Sequence, residues 1–349
     1  MSLSWKTLAV CGLLPVVSAA GKFNWHDTKS VIAFGDSYTF VLGTHGRTAY
    51  SFIGDYLPGN FSFTPKELLE NKIWQNYTGT SAGGPNWIEH LTDCAVEDGS
   101  YSPLDCKVQL WDFAFAGANT AESLLPLHHN FTVPLVNQTQ QYLTWADPVL
   151  RKKTCLDRSK SLVAIWIGIN DINDLYLLNL TSRQMYHDHI KALLEESVQS
   201  LYDRGYHNYL FVGLPPLDRN PGNQKKQAQF EAGIGAGPLP NATMIGWWYD
   251  ELRTQTAAWA AAHADAKTII FDAYDFLNDV FDNPAPYGIT NTTDFCDARR
   301  QWPQIVEDPA QFGCGPIHEY FWFDSGHIGT RVHKALADGI RQALIEESD

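Results

Sequence analysis

Positive charge is scarce in this sequence: 25 Lys and Arg stand against 39 Asp and Glu, a formal net charge of -14 over 349 residues. So acidic a surface repels polyanions over most of its area, which speaks against nucleic acid or an anionic membrane surface as a partner. Solubility in an acidic medium is the plainer use of that charge. Charged residues of either sign make up only 18%, against 44% hydrophobic, a balance that excludes disordered and collagen-like chains. Beyond residue 20 there is no run of about 18 uninterrupted apolar residues, so no stable membrane anchor is expected. Internal repeats, low-complexity linkers and abrupt shifts in composition are missing as well. One domain over 21–349, large enough to bury a substantial core, is the simplest organisation.

The N terminus supplies Lys6, an apolar run from Leu8 to Val17, and then Ser18-Ala19-Ala20. This pattern reads as a signal peptide over 1–20, too short for an anchor, with a secreted, extracellular product beginning near Gly21. Seven Asn-x-Ser/Thr acceptors, at Asn60, Asn76, Asn130, Asn137, Asn179, Asn241 and Asn291, fit an exported glycoprotein and are expected at the surface. Cysteine is sparse, six in all. Cys11 leaves with the signal, and proximity in sequence suggests Cys94 with Cys106 and Cys296 with Cys314, each bridge worth roughly 2 to 4 kcal/mol. Cys155 is then expected to be unpaired and buried.

Short apolar runs at Val31 to Phe34, Val108 to Phe113, Leu162 to Ile167, Tyr209 to Val212 and Thr268 to Phe271 read as buried strands. Between them Ile190, Leu193, Leu194, Val198 and Leu201 recur on one helical face, as do Trp248, Leu252 and Trp259. Alternating strands and helices imply parallel βαβ units with ligand-binding loops at the carboxyl ends of the strands. Pro58 to Gly84 and Pro215 to Pro240 read as irregular stretches of the kind that wall an active site. The glycines at 233, 235 and 237 lack the spacing and the preceding strand of a nucleotide fingerprint.

Chemistry is expected at the strand ends. Gly35-Asp36-Ser37 follows the first run, where a tight turn into a helix exposes a serine hydroxyl beside backbone N–H donors. Asp324 and His327 lie three residues apart before the last helix, a spacing that lets the carboxylate hold one imidazole nitrogen while the other accepts a proton. Gly117 and Asn170, past the second and third runs, offer a backbone and a side-chain N–H that with the Ser37 N–H would form an oxyanion hole. Each fragment alone is more often a capping serine, a solvated turn or a packing glycine. Their coincidence carries the reading. Gly79-Thr80-Ser81-Ala82-Gly83 matches a nucleophile elbow, but no buried strand precedes it, so Ser81 is read as loop wall. His128-His129 and His187-Asp188-His189 are read as surface histidines, without metal-ligand spacing. A metallophosphoesterase would need paired ligands near Asp36, and His45 has no convincing partner there.

The four ordered blocks Gly35-Asp36-Ser37, Phe113 to Gly117, Gly168-Ile169-Asn170-Asp171 and Asp324-Ser325-Gly326-His327 resemble those of the SGNH (GDSL-type) hydrolases. The resemblance spans nearly the whole chain after residue 20. It implies a three-layer α/β/α sandwich with a parallel five-stranded sheet, flavodoxin-like. It also implies a Ser37-His327-Asp324 triad and an oxyanion hole of Ser37, Gly117 and Asn170, with no metal or organic cofactor. Gly84-Pro85-Asn86-Trp87, Gly213-Leu214-Pro215-Pro216 and Tyr320 to His327 look most similar to fungal acetyl esterases of carbohydrate esterase family 16. One departure is Ile328, where many relatives have proline. That likeness implies an esterase acting on short acyl groups, acetyl on plant-derived sugars. Trp87 and Trp322, from their positions in the motif-bearing loops, are the candidate sugar-binding aromatics, and a monomer is expected. A lipase or phospholipase acting on longer acyl esters is the alternative in the same class. A metallophosphoesterase and a non-catalytic sugar-binding protein are the alternatives outside it.

Overall fold

The computed structural model describes residues 23–55, 62–175 and 182–348. The signal-peptide reading and the acceptors Asn60 and Asn179 lie outside them. Five strands form the central sheet: β1 (Ser30–Gly35), β2 (Gln109–Asp112), β3 (Ser161–Trp166), β4 (Asn208–Val212) and β5 (Lys267–Phe271). All pair in parallel, in the spatial order β2-β1-β3-β4-β5. Each expected apolar run is one of these strands, within two residues. β1, β3 and β4 are buried at every position, which is why they read as continuous apolar runs rather than alternating ones.

Helices cover both faces. On one, α1 (Trp87–Thr92) packs against α5 (Thr330–Glu346). On the other, α3 (Arg183–Ala192) packs against α4 (Ala242–Ala262). The expected apolar stripes, from Ile190 to Leu201 and from Trp248 to Trp259, are buried faces of α4 and of the helical run that begins with α3 and continues to Asp203. This is the three-layer α/β/α sandwich. In this strand order the chain reverses direction between β1 and β3, and the crevice beyond their carboxyl ends is where such sheets bind ligands.

α2 (Ile169–Asp174) starts directly behind β3, entered through Gly168 at φ +109°. A methyl group there would lie 2.2 Å from the Trp248 ring, so only glycine lets the chain turn while α4 stays packed.

The disulfides Cys94–Cys106 and Cys296–Cys314 form as expected. Cys155 departs from expectation on both counts, since it is disulfide-bonded and exposed. Its burial was misjudged because it takes the left-handed C-cap after the exposed Arg151, Lys152 and Lys153. The stretch Pro215 to Pro240 is not wholly irregular: Pro221–Glu231 is a helix, capped by the Asn220 side chain on Asn223 N–H. Pro58 to Gly84 likewise contains the short helix Pro65–Glu70 and the strand Ile73–Gln75. Of the described glycosylation acceptors, Asn130 and Asn241 are exposed, and Asn76, Asn137 and Asn291 are half-buried.

Gly168→Ala should cost about 2 to 4 kcal/mol from backbone strain and overpacking together. Urea unfolding would measure it, and a loss below about 1 kcal/mol would contradict the close approach of Trp248.

Candidate functional site

β1 ends at Gly35, and residues 36–39 make one turn. The Asp36 carbonyl accepts from the N–H groups of Thr39 and Phe40, both at 3.0 Å, and its Oδ1 accepts from Tyr38 N–H at 2.9 Å. The helix expected after Ser37 does not form. Asp36 satisfies these three donors itself, and the chain leaves the turn with no regular structure at Val41 and Leu42. Ser37 is half-buried on this turn. Asn86 braces the turn from outside, its amide donating to the carbonyls of Thr39 (2.8 Å) and Phe40 (2.9 Å) while its oxygen caps α1. Trp87 Nε1 donates to Thr39 Oγ1 at 3.1 Å.

Trp87 and Trp322 do not bind sugar as expected. They are 0% and 1% exposed, embedded against Trp166 and Phe321, with no ring face for a pyranose. Their loops carry functional residues, yet a large indole beside a strand end fills the core. Among the described residues the exposed tryptophans are Trp74, Trp145 and Trp302.

From the other end of the chain, Asp324 Oδ1 accepts from Gly326 N–H (2.8 Å) and His327 N–H (2.9 Å), and lies 2.9 Å from His327 Nδ1. His327 Nε2 is 2.8 Å from Ser37 Oγ. Tyr38 Oη donates to the Gly326 carbonyl at 2.5 Å, and its ring lies 5.3 Å from the imidazole. Ile328, where relatives have proline, is buried and bridges Trp322 in antiparallel fashion, which fixes the loop without a proline ring.

Electrostatics separate the two carboxylates. Burial raises Asp36 to about 7, only partly offset by the Tyr38 N–H. Asp324 faces burial too, but His327, the Gly326 N–H and Arg299 outweigh it and hold its carboxyl well below the usual range. Burial presses His327 toward neutrality, yet the charge and hydrogen bond of Asp324, helped by Asp36, hold its pKa above the ordinary histidine value.

Gly117 (φ +83°) follows β2 and Asn170 sits in the first turn of α2. The N–H groups of Ser37 and Gly117 donate to no acceptor among the described residues. Asn170 Nδ2 spends one hydrogen on the Ala118 carbonyl at 2.9 Å and keeps the other. A second tie, from Thr120 N–H to Asp171 Oδ1 at 2.8 Å, holds the Gly117 loop to α2. The three expected donors thus sit just past the ends of three adjacent strands.

Several participants are not legible in the sequence. A cleft of about 440 Å³ is lined by Asp324 and His327 together with Tyr77, Ser81, Arg299 and Arg300. Ser81 is part of this wall, as read. Arg299 and Arg300 come from the loop closed by Cys296–Cys314, and only that disulfide hinted that the loop was held in place. The histidine reading needs one correction: His128 pairs with Asp174 and His187 with Glu251 near the surface, but His189 is 2% exposed, buried against Asp171. Among the described residues no group of three or more His, Cys, Asp or Glu side chains could hold a metal.

A profile of the GDSL-like lipase/acylhydrolase family matches residues 31–340. The chain belongs to that family. This GDSL hydrolase is 22% identical over 333 residues to an acetylesterase of Thermothelomyces thermophilus, covering 90% of this chain and 88% of the relative. It is 25% identical over 321 residues to the Arabidopsis thaliana GDSL esterase/lipase At1g29660, covering 87% and 84%. An acetylxylan esterase structure from Geobacillus stearothermophilus superposes over 90% of this chain and 94% of that one at 12% identity, with a TM-score of 0.39, too loose to carry weight. The GDSL hydrolase is a carboxylic ester hydrolase, and the site has the groups for acyl transfer without a metal.

Because the imidazole must be neutral to take a proton and its pKa is raised, kcat/KM should fall on the acid side with a midpoint above 6.5. Asp324→Asn should lower that midpoint. A pH profile of aryl acetate hydrolysis checks both, and a wild-type midpoint below 6.5 would contradict the pairing.

Proposed function

We propose that the chain is a secreted acetyl esterase in which Ser37 attacks the ester carbonyl, His327 takes the hydroxyl proton and Asp324 steadies the imidazolium. The observation that carries this reading is the pair of contacts on one imidazole, Nε2 to Ser37 Oγ at 2.8 Å and Nδ1 to Asp324 Oδ1 at 2.9 Å. The N–H groups of Ser37 and Gly117 and the free amide hydrogen of Asn170 hold the oxyanion, each donor worth about 3 kcal/mol of barrier. His327 then protonates the departing alcohol, and water attacks the acyl-Ser37 with the imidazole as base. Acetyl as the acyl group and plant-derived carbohydrate as the alcohol are supported by the acetylesterase relative and by the motifs around Asn86 and Trp322. Residues 1–20 are the signal peptide and 21–349 the catalytic domain. No described helix is long and apolar enough to cross a membrane.

Ser37→Ala should lower kcat by about 10³-fold or more, whereas Ser81→Ala should keep the chemical step. Aryl acetates should be preferred to butyrates and octanoates, and preference for octanoate would point to a lipase instead. The reverse result for the two serines would move the nucleophile to Ser81. Protein recovered from culture medium should begin near Gly21, and an intact Met1 would contradict the leader.

A further inference from the structure

Two cations stand in the cleft of a chain that has few to spare. Seven of the other arginines, Arg47, Arg158, Arg183, Arg219 and Arg341 among them, lie against a carboxylate, and Arg331 donates to the Gly288 carbonyl. Arg299 and Arg300 form no ion pair within 4.0 Å among the described residues. The Arg299 Nε is buried with no hydrogen-bond partner, and its guanidinium makes one long contact, 3.5 Å to the Asp297 carbonyl, while lying 4.8 Å over the Phe295 ring. A buried guanidinium N–H without an acceptor is costly unless something supplies one.

Their position is fixed from behind. Tyr77 Oη donates to the Arg299 carbonyl at 2.7 Å and packs on Cys296 and Ile305, and the Cys296–Cys314 bridge closes the loop. The cleft they line is also lined by His327 and Asp324, so it opens on the imidazole that meets Ser37. The imidazole must hand its proton to the departing oxygen, so the alcohol portion of the ester leaves against His327, while the acyl carbonyl faces the oxyanion donors.

We propose that Arg299 and Arg300 form a carboxylate subsite on the leaving-group side, so that the preferred esters carry an anionic group on their alcohol portion, as an acetylated hexuronic acid does. This rests on the esterase reading of Ser37, His327 and Asp324. Two guanidinium forks suit a planar carboxylate, which would offer acceptors to N–H donors that have few within the protein.

Calorimetric titration of methyl glucuronoside against methyl glucoside, with wild type and with Ser37→Ala, tests the subsite without needing turnover. The glucuronoside should bind about tenfold more tightly or better, with the advantage shrinking as salt is raised and vanishing in Arg299→Gln/Arg300→Gln. In kinetics, the acetylated glucuronoside should show the higher kcat/KM, chiefly through KM, and the double variant should bring the ratio toward one. Equal binding of the two glycosides would overturn the subsite while leaving the esterase reading intact. Preferential binding by a protein that hydrolyses no acetate would keep the subsite and sink the esterase reading. Discrimination for phenyl succinate over phenyl acetate in place of the glucuronoside would put the anion on the acyl side and overturn the assignment.

Discussion

The contact between Ser37 Oγ and His327 Nε2 joins residues 290 apart in sequence, and the structure around it exists to keep those two turns in register. A side-chain contact of that span cannot hold itself, because it must offset the ordering of both turns. Local bonds do that work. Asp36 closes the first turn, Asp324 closes the second, and Tyr38 Oη reaches from one to the Gly326 carbonyl of the other. Around them, Thr330 N–H donates to the Ala82 carbonyl and Gly222 N–H to that of Ser325. The C-terminal loop is thus tied to three separate segments before its imidazole meets the hydroxyl. The sheet sets the remainder: β1 is its central neighbour to both β2 and β3, so turns leaving these three strands open on one crevice.

Two buried carboxyls near the same imidazole have opposite fates. Asp324 is ionised because a cationic neighbour and two N–H groups surround it; Asp36 has one N–H and a second oxygen with no partner, so burial dominates and it holds its proton up to about neutrality. Environment alone separates the carboxylate that holds the His327 imidazole from the one that shapes the turn. The same logic extends to the cations: seven other arginines lie against carboxylates, while Arg299 and Arg300 line the cleft without an ion pair among the described residues.

Much of this was legible in the sequence because it is local or periodic. Buried parallel strands write themselves as unbroken apolar runs, and Asp324 and His327 are close enough along the chain for their contact to follow from spacing. Ser37, Gly117 and Asn170 could be placed because each follows a strand by a few residues. What could not be read was tertiary. Trp87 and Trp322 sit in the right loops, but nothing in a sequence tells whether an indole faces a ligand or the core. The single turn after Ser37 depends on an Asp36 side chain that competes with a helix, and the Arg299–Arg300 wall depends on where a disulfide-closed loop docks on Tyr77. Cys155 caps a helix just after three exposed cations, and a count of cysteines carries nothing about that exposure.

Covalent trapping tests the central contact most directly. Treating the protein with a diethyl phosphoryl ester and mapping the adduct by peptide mass spectrometry should place the label on Ser37, at a rate that collapses in His327→Ala. Labelling at Ser81, or undiminished labelling of Ser37 without the imidazole, would contradict the account.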